Sequence, residues 1–571
     1  MKTKLIICLI LLTSFIAFVE TRISYAKSTR IDSINAEMDK FIDPFDKADA
    51  PGFSIAIINN EKIIYRRVVG LANLENNIPI TPHTIFQLAS ISKQFTAACI
   101  HLLSEQRMIS LDNDIRNILP EMPDYGNVIT IRHLLHHISG IRDVLSLQRL
   151  AGIIQMNPVT GELISESKTT GEQIYQLITR QKHIEFQPGD KYDYSNSNYI
   201  LLSLIVERIS GLSLNDFAQK NIFKPLGMKN TYFKETMTDT IKNLALGYRQ
   251  DKDGQFYVES KLWHLYSSGA AGVFTTIDDL FKWDQNFYKS KIGGPQFPRL
   301  MTTQGVLNNG NKIEYASGLF VSDLLGLKAV HHDGFGAGYR SLMLRHPDQK
   351  YAIIVLSNVV TIDPWAFTVK ATKLYLSDKI KKDEKKQASE TSPRPQVKID
   401  PALYDDYVGD YQMDDGQVIT IAREGDKLIA VPMGFEFIPV TETKFFIKEM
   451  GAHISFVRDE NGEVSHHIIH VDNQDIIVNK MNPTPPSPEQ LNEYVGKYYS
   501  EELDVIYNVT VQDDKLFIQI ADLPSKQMKP VRQHEFTNLE WNITFKYDDQ
   551  NHIIGFRFDT HWMKNLMFFR R

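Results

Sequence analysis

The apolar positions in the larger, N-terminal part of the chain follow both strand and helix periods. Phe53–Tyr65 contains two apolar runs around a polar turn, which predicts a strand hairpin. Apolar residues at helical spacing predict helices over Gln94–Met108 and Asn198–Ile209. Strand patterns return at Leu342–Leu344 and Tyr351–Leu356. A hairpin and late strands with helices between them predict an α+β fold built on an antiparallel sheet.

The C-terminal part of the chain contains a duplicated strand pattern. Tyr407–Tyr411 reads YVGDY, and Tyr494–Tyr498 reads YVGKY 87 residues later. The pair Lys427-Leu428 recurs as Lys515-Leu516 at a spacing of 88 residues. Each copy continues in short alternating runs with turn residues about every ten positions and without a helical period. Two small antiparallel β-barrels are therefore expected.

Two polar segments separate these blocks. Residues 378–397 are charged and then rich in serine and proline, and residues 482–490 read NPTPPSPEQ. Neither segment buries much apolar surface, so both are predicted linkers. The predicted division is a signal peptide at 1–26, an α+β domain at 27–377, a linker at 378–399, a first β-barrel at 400–481, a proline-rich linker at 482–490 and a second β-barrel at 491–571.

The N-terminal segment has the pattern of a secretory signal. Lys2 and Lys4 precede an apolar run, Leu5–Val19, and residues 24–26 (SYA) place small side chains before a cleavage point. We expect cleavage after Ala26 and export to the periplasm or the medium. The alternative is an uncleaved membrane anchor, although the apolar run is short for a bilayer span. No other contact with a membrane is expected.

Composition narrows the class of protein. The 571 residues include 43% hydrophobic and 23% charged residues, the balance of a globular protein with packed cores. A formal net charge of −6 provides no basic field, so nucleic acid is not an expected partner. Two cysteines, Cys8 and Cys99, exclude a disulfide scaffold and a cysteine-rich zinc fold. The histidine pairs have no carboxylate or cysteine at ligand spacing, so no metal is expected.

The first candidate for chemistry is a serine and a lysine one helical turn apart. Ser90 and Lys93 directly precede the predicted helix at Gln94, and a spacing of three places both side chains on one helix face. Free backbone N–H groups at a helix N-terminus favour an alkoxide and an oxyanion. A partly desolvated lysine there can accept the serine proton. Ser165 and Lys168 have the same spacing but lie in a polar stretch that starts no apolar helix.

Two further motifs contain candidate proton-transfer and substrate-binding groups. Tyr194 and Asn196 flank Ser195 just before the second predicted helix. A tyrosine phenol near a lysine can shuttle a proton, and an asparagine amide can orient a carbonyl. His332 and Gly334 begin a glycine-rich segment that leads into strands. Closely spaced glycines let a substrate approach the backbone.

The order and separation of these motifs resemble the penicillin-recognising serine hydrolases. That family includes class C β-lactamases, D-alanyl-D-alanine carboxypeptidases, D-aminopeptidases and related esterases. The resemblance extends from Pro51 to Asn358, and four further segments contribute to it, namely Ile131–Gly140, Phe186–Gly189, Pro225–Met228 and Gly272–Leu280. It implies a catalytic domain of the β-lactamase and penicillin-binding-protein type that works without a metal or organic cofactor.

The resemblance also implies a role for each motif residue. Three side chains would carry the chemistry, namely Ser90 as the acylated nucleophile, Lys93 as its proton acceptor or electrostatic partner, and Tyr194 as the group that assists proton transfer to the leaving group. Asn196 would hold the substrate amide, and His332 stands where many relatives have lysine. The oxyanion hole would consist of the backbone N–H groups of Ser90 and of Phe335, which follows Gly334.

The histidine at position 332 bears on the substrate. His-x-Gly is similar to the motif of D-aminopeptidases and several esterases of the family, and those D-aminopeptidases also have two β-barrels after the catalytic domain. A histidine is only partly charged near neutral pH, although Asp333 beside it is able to raise the pKa. We therefore favour a peptidase or esterase that acts on D-amino-acid or small acyl amides and esters. Arg340 favours the alternative, a β-lactamase or D-alanyl-D-alanine carboxypeptidase, because it can supply a carboxylate-binding cation.

Two questions stay open on the sequence alone. A non-catalytic cell-wall binding or sensor protein would have the same fold with a decayed site, yet Ser90, Lys93, Tyr194 and His332 are all present. The barrels either shape the site or bind wall material. The expected partner is a small-molecule or peptide substrate, with peptidoglycan-derived peptides among the candidates, and no oligomeric state is predicted.

Overall fold

A computed structural model provides the three-dimensional structure. It describes residues 30–156, 163–166, 170–234, 241–251, 253–259, 268–380, 399–413, 418–431, 434–447, 450–471, 474–481, 486–538, 541–560 and 563–571. The predicted signal peptide lies outside the described residues, as do most of the predicted linker at 378–399 and residues 482–485 of the proline-rich linker. Among the described residues, no helix combines the length and apolar character needed to span a bilayer.

The strands of the N-terminal domain are mostly short. They are β1 (Phe53–Asn59), β2 (Lys62–Val69), β3 (Leu71–Asn73), β4 (Ile78–Pro79), β5 (Phe86–Gln87), β6 (Ile154–Met156), β7 (Leu163–Glu166), β8 (Tyr232–Phe233), β9 (Tyr248–Gln250), β10 (Phe256–Val258), β11 (Val273–Thr275), β12 (Phe320–Leu324), β13 (Leu327–Gly336), β14 (Tyr339–His346) and β15 (Tyr351–Ser357). Six of them form an antiparallel sheet in the order β12-β13-β14-β15-β1-β2.

The helices of this domain lie between and around the strands. They are α1 (30–42), α2 (Lys93–Glu105), α3 (Ile131–Leu135), α4 (Val144–Leu150), α5 (Gly171–Thr179), α6 (Asn196–Ser210), α7 (Leu214–Ala218), α8 (Lys224–Leu226), α9 (Ser268–Ala271), α10 (Ile277–Lys289), α11 (Phe297–Thr302) and α12 (Pro364–Tyr375), with a π-helical turn at Gln219–Phe223 between α7 and α8. The mixture of an antiparallel sheet and helices confirms the predicted α+β fold.

The central sheet is covered on both faces, which explains why its inner strands β1 and β15 are buried and almost entirely apolar. Along β1, Phe53, Ile55 and Ile57 pack with α1 and α12, whereas Ala56 and Ile58 pack into the larger core around α2 and α6. Successive side chains of a strand point to opposite faces, so each face has its own core. Burying apolar side chains on both faces is the main stabilising contribution to this domain.

Each C-terminal block forms a closed eight-stranded antiparallel barrel, as the duplicated pattern predicts. The first contains α13 (Tyr404–Tyr407), β16 (Gly409–Met413), β17 (Val418–Glu424), β18 (Lys427–Val431), β19 (Phe435–Pro439), β20 (Lys444–Ile447), β21 (Ala452–Arg458), β22 (Val464–Val471) and β23 (Gln474–Lys480). The second contains α14 (Pro488–Glu493), β24 (Gly496–Ser500), β25 (Val505–Gln512), β26 (Lys515–Ile520), β27 (Lys526–Arg532), β28 (Glu535–Thr537), β29 (Trp541–Tyr547), β30 (Ile553–Thr560) and β31 (Leu566–Arg570).

The repeated YVGxY motif has the same structural role in both barrels. The hydroxyl of Tyr411 donates to the carbonyl oxygen of Tyr407 at 2.9 Å, and Tyr498 donates to Tyr494 at 2.8 Å. In each copy the two tyrosines are buried and tie the short helix to the first strand. The repeated contact therefore indicates a structural role for the motif at the start of each barrel.

A buried ion pair between α10 and β14 allows a test of the core. Arg345 Nε lies 2.7 Å from Asp284 Oδ1, and both side chains are 1% exposed. Burial raises the pKa of Asp284, and Arg345 opposes that shift. Asp284→Asn should lower the free energy of unfolding by about 3–5 kcal/mol, because it leaves the guanidinium without its counter-charge. Urea unfolding measures this loss.

The matched control is an exposed ion pair of the same domain. Asp112 pairs with Arg132 at 2.8 Å, but both side chains are largely exposed. Asp112→Asn should change the unfolding midpoint little, since exposed pairs contribute little to stability. Equal losses for Asp112→Asn and Asp284→Asn would contradict the importance of burial.

Candidate active site

Ser90 lies in a tight turn at the start of α2. Residues Ala89–Ser92 form a 3₁₀ turn that continues into α2, and Ala89 has a φ of +47°, in the left-handed region. Such a conformation is costly for a non-glycine residue and is typical of functional sites. The turn packs against β13, because a Cβ atom at Gly334 would lie 2.1 Å from the carbonyl oxygen of Leu88. Glycine at 334 therefore lets β13 approach the Ser90 turn.

Lys93 is completely buried, and its amine faces Ser90. Nζ lies 3.2 Å from Ser90 Oγ, 2.9 Å from Asn196 Oδ1 and 3.1 Å from a backbone carbonyl oxygen of α9. Burial lowers the pKa of Lys93 to about 7, while the carboxylates of Asp143 and Asp333 act in the opposite direction. A large fraction of Lys93 is therefore uncharged near neutral pH, and an uncharged amine can accept the Ser90 proton.

Tyr194 forms a group of three polar side chains with Ser90 and Lys93. Its ring lies 4.7 Å from Lys93 Nζ, and its hydroxyl is shielded from solvent. Burial raises the pKa of Tyr194 well above its ordinary value, and the nearby Ser90 side chain partly offsets the shift. Tyr194 therefore keeps its proton at neutral pH and can donate it. Lys93, and not Tyr194, therefore has a pKa that suits proton acceptance near neutrality.

Asn196 links Lys93 to an aspartate that the sequence analysis missed. Its Oδ1 accepts from Lys93, while its backbone N–H and Nδ2 donate to Asp143 Oδ1 at 2.6 and 3.0 Å. Asp143 also caps α4 through Oδ2, which accepts from Leu145 N at 3.0 Å. An aspartate just before an apolar helical run is a helix N-cap pattern, and that signal alone could have indicated Asp143.

His332 is neutral, because burial outweighs the upward effect that the backbone of Asp333 has on its pKa. The side chain is 2% exposed, and burial, assisted by the charge of Lys93, lowers the pKa of His332 to about 3. Nδ1 lies 2.6 Å from the Asp333 carbonyl oxygen, which can only accept, so Nδ1 has the hydrogen. Nε2 is then left to accept from Tyr315 at 3.1 Å. A neutral His332 differs from the permanent cation that a lysine provides.

Phe335 and Arg340 lie at the exposed end of the β13–β14 hairpin. They are paired across the two strands, and the Arg340 guanidinium lies 4.8 Å from the centre of the Phe335 ring. Phe335 is 42% exposed, which is unusual for a large apolar side chain on a mostly buried strand. An exposed ring beside a cation is suited to contact a ligand next to the serine.

Aromatic side chains, namely His137, Tyr199 and Tyr315, form a shell next to Tyr194 and these polar groups. No local sequence motif indicates this shell. The ring of His137 lies 4.4 Å from that of Tyr194, 5.1 Å from Tyr199 and 4.6 Å from Tyr315. His137 Nδ1 accepts from the backbone N–H of Ser195 at 3.2 Å, and burial holds the pKa of His137 well below its ordinary value. The shell keeps water from Lys93 and so maintains its lowered pKa.

The site can support acyl transfer through a serine. In the described part of the chain, no group of three or more histidine, cysteine, aspartate and glutamate side chains could hold a metal ion. Ser90, Lys93 and Tyr194 supply a nucleophile, an acceptor for its proton and a shielded proton donor. The Lys93 amine lies close to both Ser90 Oγ and the Tyr194 ring. This combination matches the requirements of covalent catalysis.

Two family models match parts of this chain, and several known proteins are similar to it. The model of the family described as "Beta-lactamase" matches residues 38–368, and that of a domain of unknown function, DUF3471, matches residues 393–482. Penicillin-binding protein 4* of Bacillus subtilis is 29% identical over 422 residues, which cover 71% of this chain and 89% of that protein. A D-aminopeptidase of Gluconobacter oxydans is 26% identical over 57% of this chain and 59% of that protein.

Solved structures share the fold. The octameric penicillin-binding protein homologue from Pyrococcus abyssi has a TM-score of 0.52 at 22% identity, covering 87% of this chain and 98% of that one. The D-amino acid amidase of Ochrobactrum anthropi, solved with L-phenylalanine amide, has a TM-score of 0.50 at 21% identity and covers 61% of this chain and 99% of that one. The family match spans more than half of the chain, from α1 to α12. The chain therefore belongs to the beta-lactamase family of penicillin-recognising serine hydrolases.

Proposed function

We propose that the protein hydrolyses amides or esters of D-amino acids or other small acyl groups through an acyl-enzyme on Ser90. The observation that carries the proposal is the contact of Ser90 Oγ with a buried Lys93 whose pKa lies at about 7. The D-aminopeptidase relative supports the substrate class. We also propose that the N-terminal segment directs export, which the N-terminal sequence of the mature protein from a secreting host would test.

The proposed reaction assigns each proton to a named group. Ser90 Oγ attacks the carbonyl carbon while its proton moves to neutral Lys93 Nζ, and the backbone N–H groups of Ser90 and Phe335 hold the oxyanion. Tyr194 donates its proton to the leaving amine or alcohol as the carbonyl–heteroatom bond breaks, and Lys93 returns a proton to Tyr194. Water then attacks the acyl carbon while its proton moves to neutral Lys93 Nζ. The ester bond to Ser90 Oγ breaks, Lys93 returns the proton to Ser90 Oγ, and the acid is released.

The neutral His332 favours substrates without a carboxylate at this position. A lysine there would offer a permanent cation, whereas the pKa of His332, at about 3, leaves it uncharged in any physiological medium. Arg340 supports the second candidate, hydrolysis of β-lactams or of D-alanyl-D-alanine peptides, since its guanidinium lies beside the exposed Phe335 ring. The two candidate functions therefore differ in whether the substrate has a carboxylate near the β13–β14 hairpin.

Two active-site probes test the proposal directly. Full-length protein is incubated with a fluorophosphonate or with a fluorescent penicillin, and the adduct is located by peptide mass. We expect the fluorophosphonate to label Ser90 and penicillin to label it poorly. A stable or turning-over penicillin adduct on Ser90 would favour the second candidate. No adduct with either probe would overturn the hydrolase proposal.

Replacing Arg340 should distinguish the two substrate classes. On an uncharged D-amino-acid ester, Arg340→Gln should leave kcat/KM nearly unchanged, because no carboxylate needs the guanidinium. For a substrate with a carboxylate at this position, the same change should raise KM by about tenfold or more, the size of one charge-assisted contact. Arg340→Lys, which keeps the charge, is the control, and steady-state kinetics on the two substrates measure the effect. A large loss on the uncharged ester would contradict the favoured candidate.

A further inference from the structure

The second barrel is packed against the catalytic domain close to the candidate active site. Leu147 and Leu150 of α4, together with Leu177 of α5, belong to the same apolar core as the interior of this barrel. The buried hydroxyl of Tyr507 in β25 donates to the carbonyl oxygen of Leu150 at 2.8 Å. The C-terminal end of α4 therefore contacts the barrel, and its N-terminal end is capped by Asp143 of the site.

A buried guanidinium lies at the centre of this interface. The side chain of Arg142 is fully buried and lies 2.7 Å from Glu185 Oε1 and 2.8 Å from Glu502 Oε2 of the barrel. Its remaining donors reach Gln181 Oε1 at 2.9 Å and the Lys564 carbonyl oxygen at 2.6 Å. Two domains thus supply acceptors to one arginine. A buried charge without such partners would be strongly destabilised.

Arg142, which contacts the barrel, directly precedes Asp143, which contacts Asn196 of the site. Asp143 Oδ1 accepts hydrogen bonds from the backbone N–H and from Nδ2 of Asn196, and Asn196 Oδ1 then faces the Lys93 amine. The carbonyl oxygen of Arg142 also accepts from Ser197 Oγ at 2.6 Å at the start of α6. A continuous series of contacts therefore joins Glu502 of the barrel to the amine of Lys93.

We propose that the second barrel is a structural part of the active site, and that Glu502 and Arg142 are positioning residues for Asp143 and Asn196. Glu502 fixes the Arg142 guanidinium, Arg142 fixes the segment that presents Asp143, and Asp143 sets the orientation of the Asn196 amide. Without the Glu502 carboxylate, the Arg142 guanidinium loses one of its two negatively charged partners. The Asn196 side-chain amide next to Lys93 is then less firmly oriented. This inference rests on the proposed hydrolase function, because its readout is acylation of Ser90.

The test compares two neighbouring glutamates in the full-length protein. Glu502→Gln removes the buried charge, while Glu501→Gln removes the exposed charge that pairs with Lys182 across the same interface. We expect Glu502→Gln to slow fluorophosphonate labelling of Ser90 by about tenfold or more and Glu501→Gln to have no effect. In an Asp143→Asn background, Glu502→Gln should add nothing further, because both changes act through the same contact.

A second variant separates positioning from loss of stability. Tyr507→Phe weakens the docking of the barrel without touching Arg142, so it should lower the unfolding temperature and leave the labelling rate at the wild-type value. Labelling by Glu502→Gln at the wild-type rate, full additivity with Asp143→Asn, or an equal loss of rate in Tyr507→Phe would each overturn the inference while leaving the hydrolase function intact. An unlabelled wild-type protein would overturn the hydrolase function and this inference with it.

Discussion

Replacing Ser90 by alanine should abolish acylation and lower kcat by about 10⁴-fold or more, since removing the nucleophile of a covalent mechanism leaves only binding and oxyanion stabilisation. Ser90 Oγ lies 3.2 Å from Lys93 Nζ, within hydrogen-bonding distance of the proposed base. The measurements are the steady-state rate on a D-amino-acid ester and the labelling of the variant by a fluorophosphonate.

The matched control is Ser165→Ala, because Ser165 and Lys168 repeat the Ser-x-x-Lys spacing elsewhere in the chain. Ser165 lies in β7, which pairs with β6, and no role in the reaction is expected. Its replacement should leave both readouts at the wild-type value. Retained activity in Ser90→Ala, or a similar loss in Ser165→Ala, would show that the chemistry lies elsewhere.

The rate should also rise with pH through the titration of Lys93. The pKa of Lys93 lies at about 7, and only the uncharged amine can accept the Ser90 proton. Below that pH Lys93 is protonated and kcat/KM falls about tenfold per pH unit, while above it the rate levels off. Lys93→Arg should lower kcat by about 10²–10⁴-fold over the whole range, because a guanidinium stays charged.

A second variant checks which group produces the pH dependence. Asp143 raises the pKa of Lys93, so removing its charge should move the acidic limb of the profile to lower pH. Asp143→Asn is expected to show this shift in kcat/KM measured from about pH 5 to pH 9, together with a lower plateau from the disturbed Asn196 amide. A profile that is flat in the wild type, or one that moves to higher pH in Asp143→Asn, would contradict the assignment of Lys93 as the base.

Some features of the fold follow from local pattern. The hairpin of β1 and β2 is visible as two apolar runs around a polar turn, and the two barrels are visible as a repeat of YVGxY. The predicted helix at Gln94–Met108 corresponds to α2, which begins one residue earlier and ends at Glu105. These features depend on the spacing of apolar and polar residues along the chain, which is fixed by the sequence and not by the tertiary structure.

Other features depend on contacts between distant segments. Asp143 lies 53 residues before Asn196, and Glu502 lies 360 residues after Arg142, so no local motif joins them. His332 has the same neighbours in sequence whether it is charged or neutral. Its low pKa arises from burial and from Lys93, which lies far away along the chain.

The sequence by itself determined the class of fold, the repeat of the barrels and the candidates Ser90, Lys93, Tyr194 and His332, because these depend on residue type and spacing. The tertiary structure decided the charge states of Lys93 and His332 and the docking of the second barrel beside Asp143. The physical reason is that desolvation and charge–charge interaction act through space over a few ångströms, and the fold alone sets which side chains come that close.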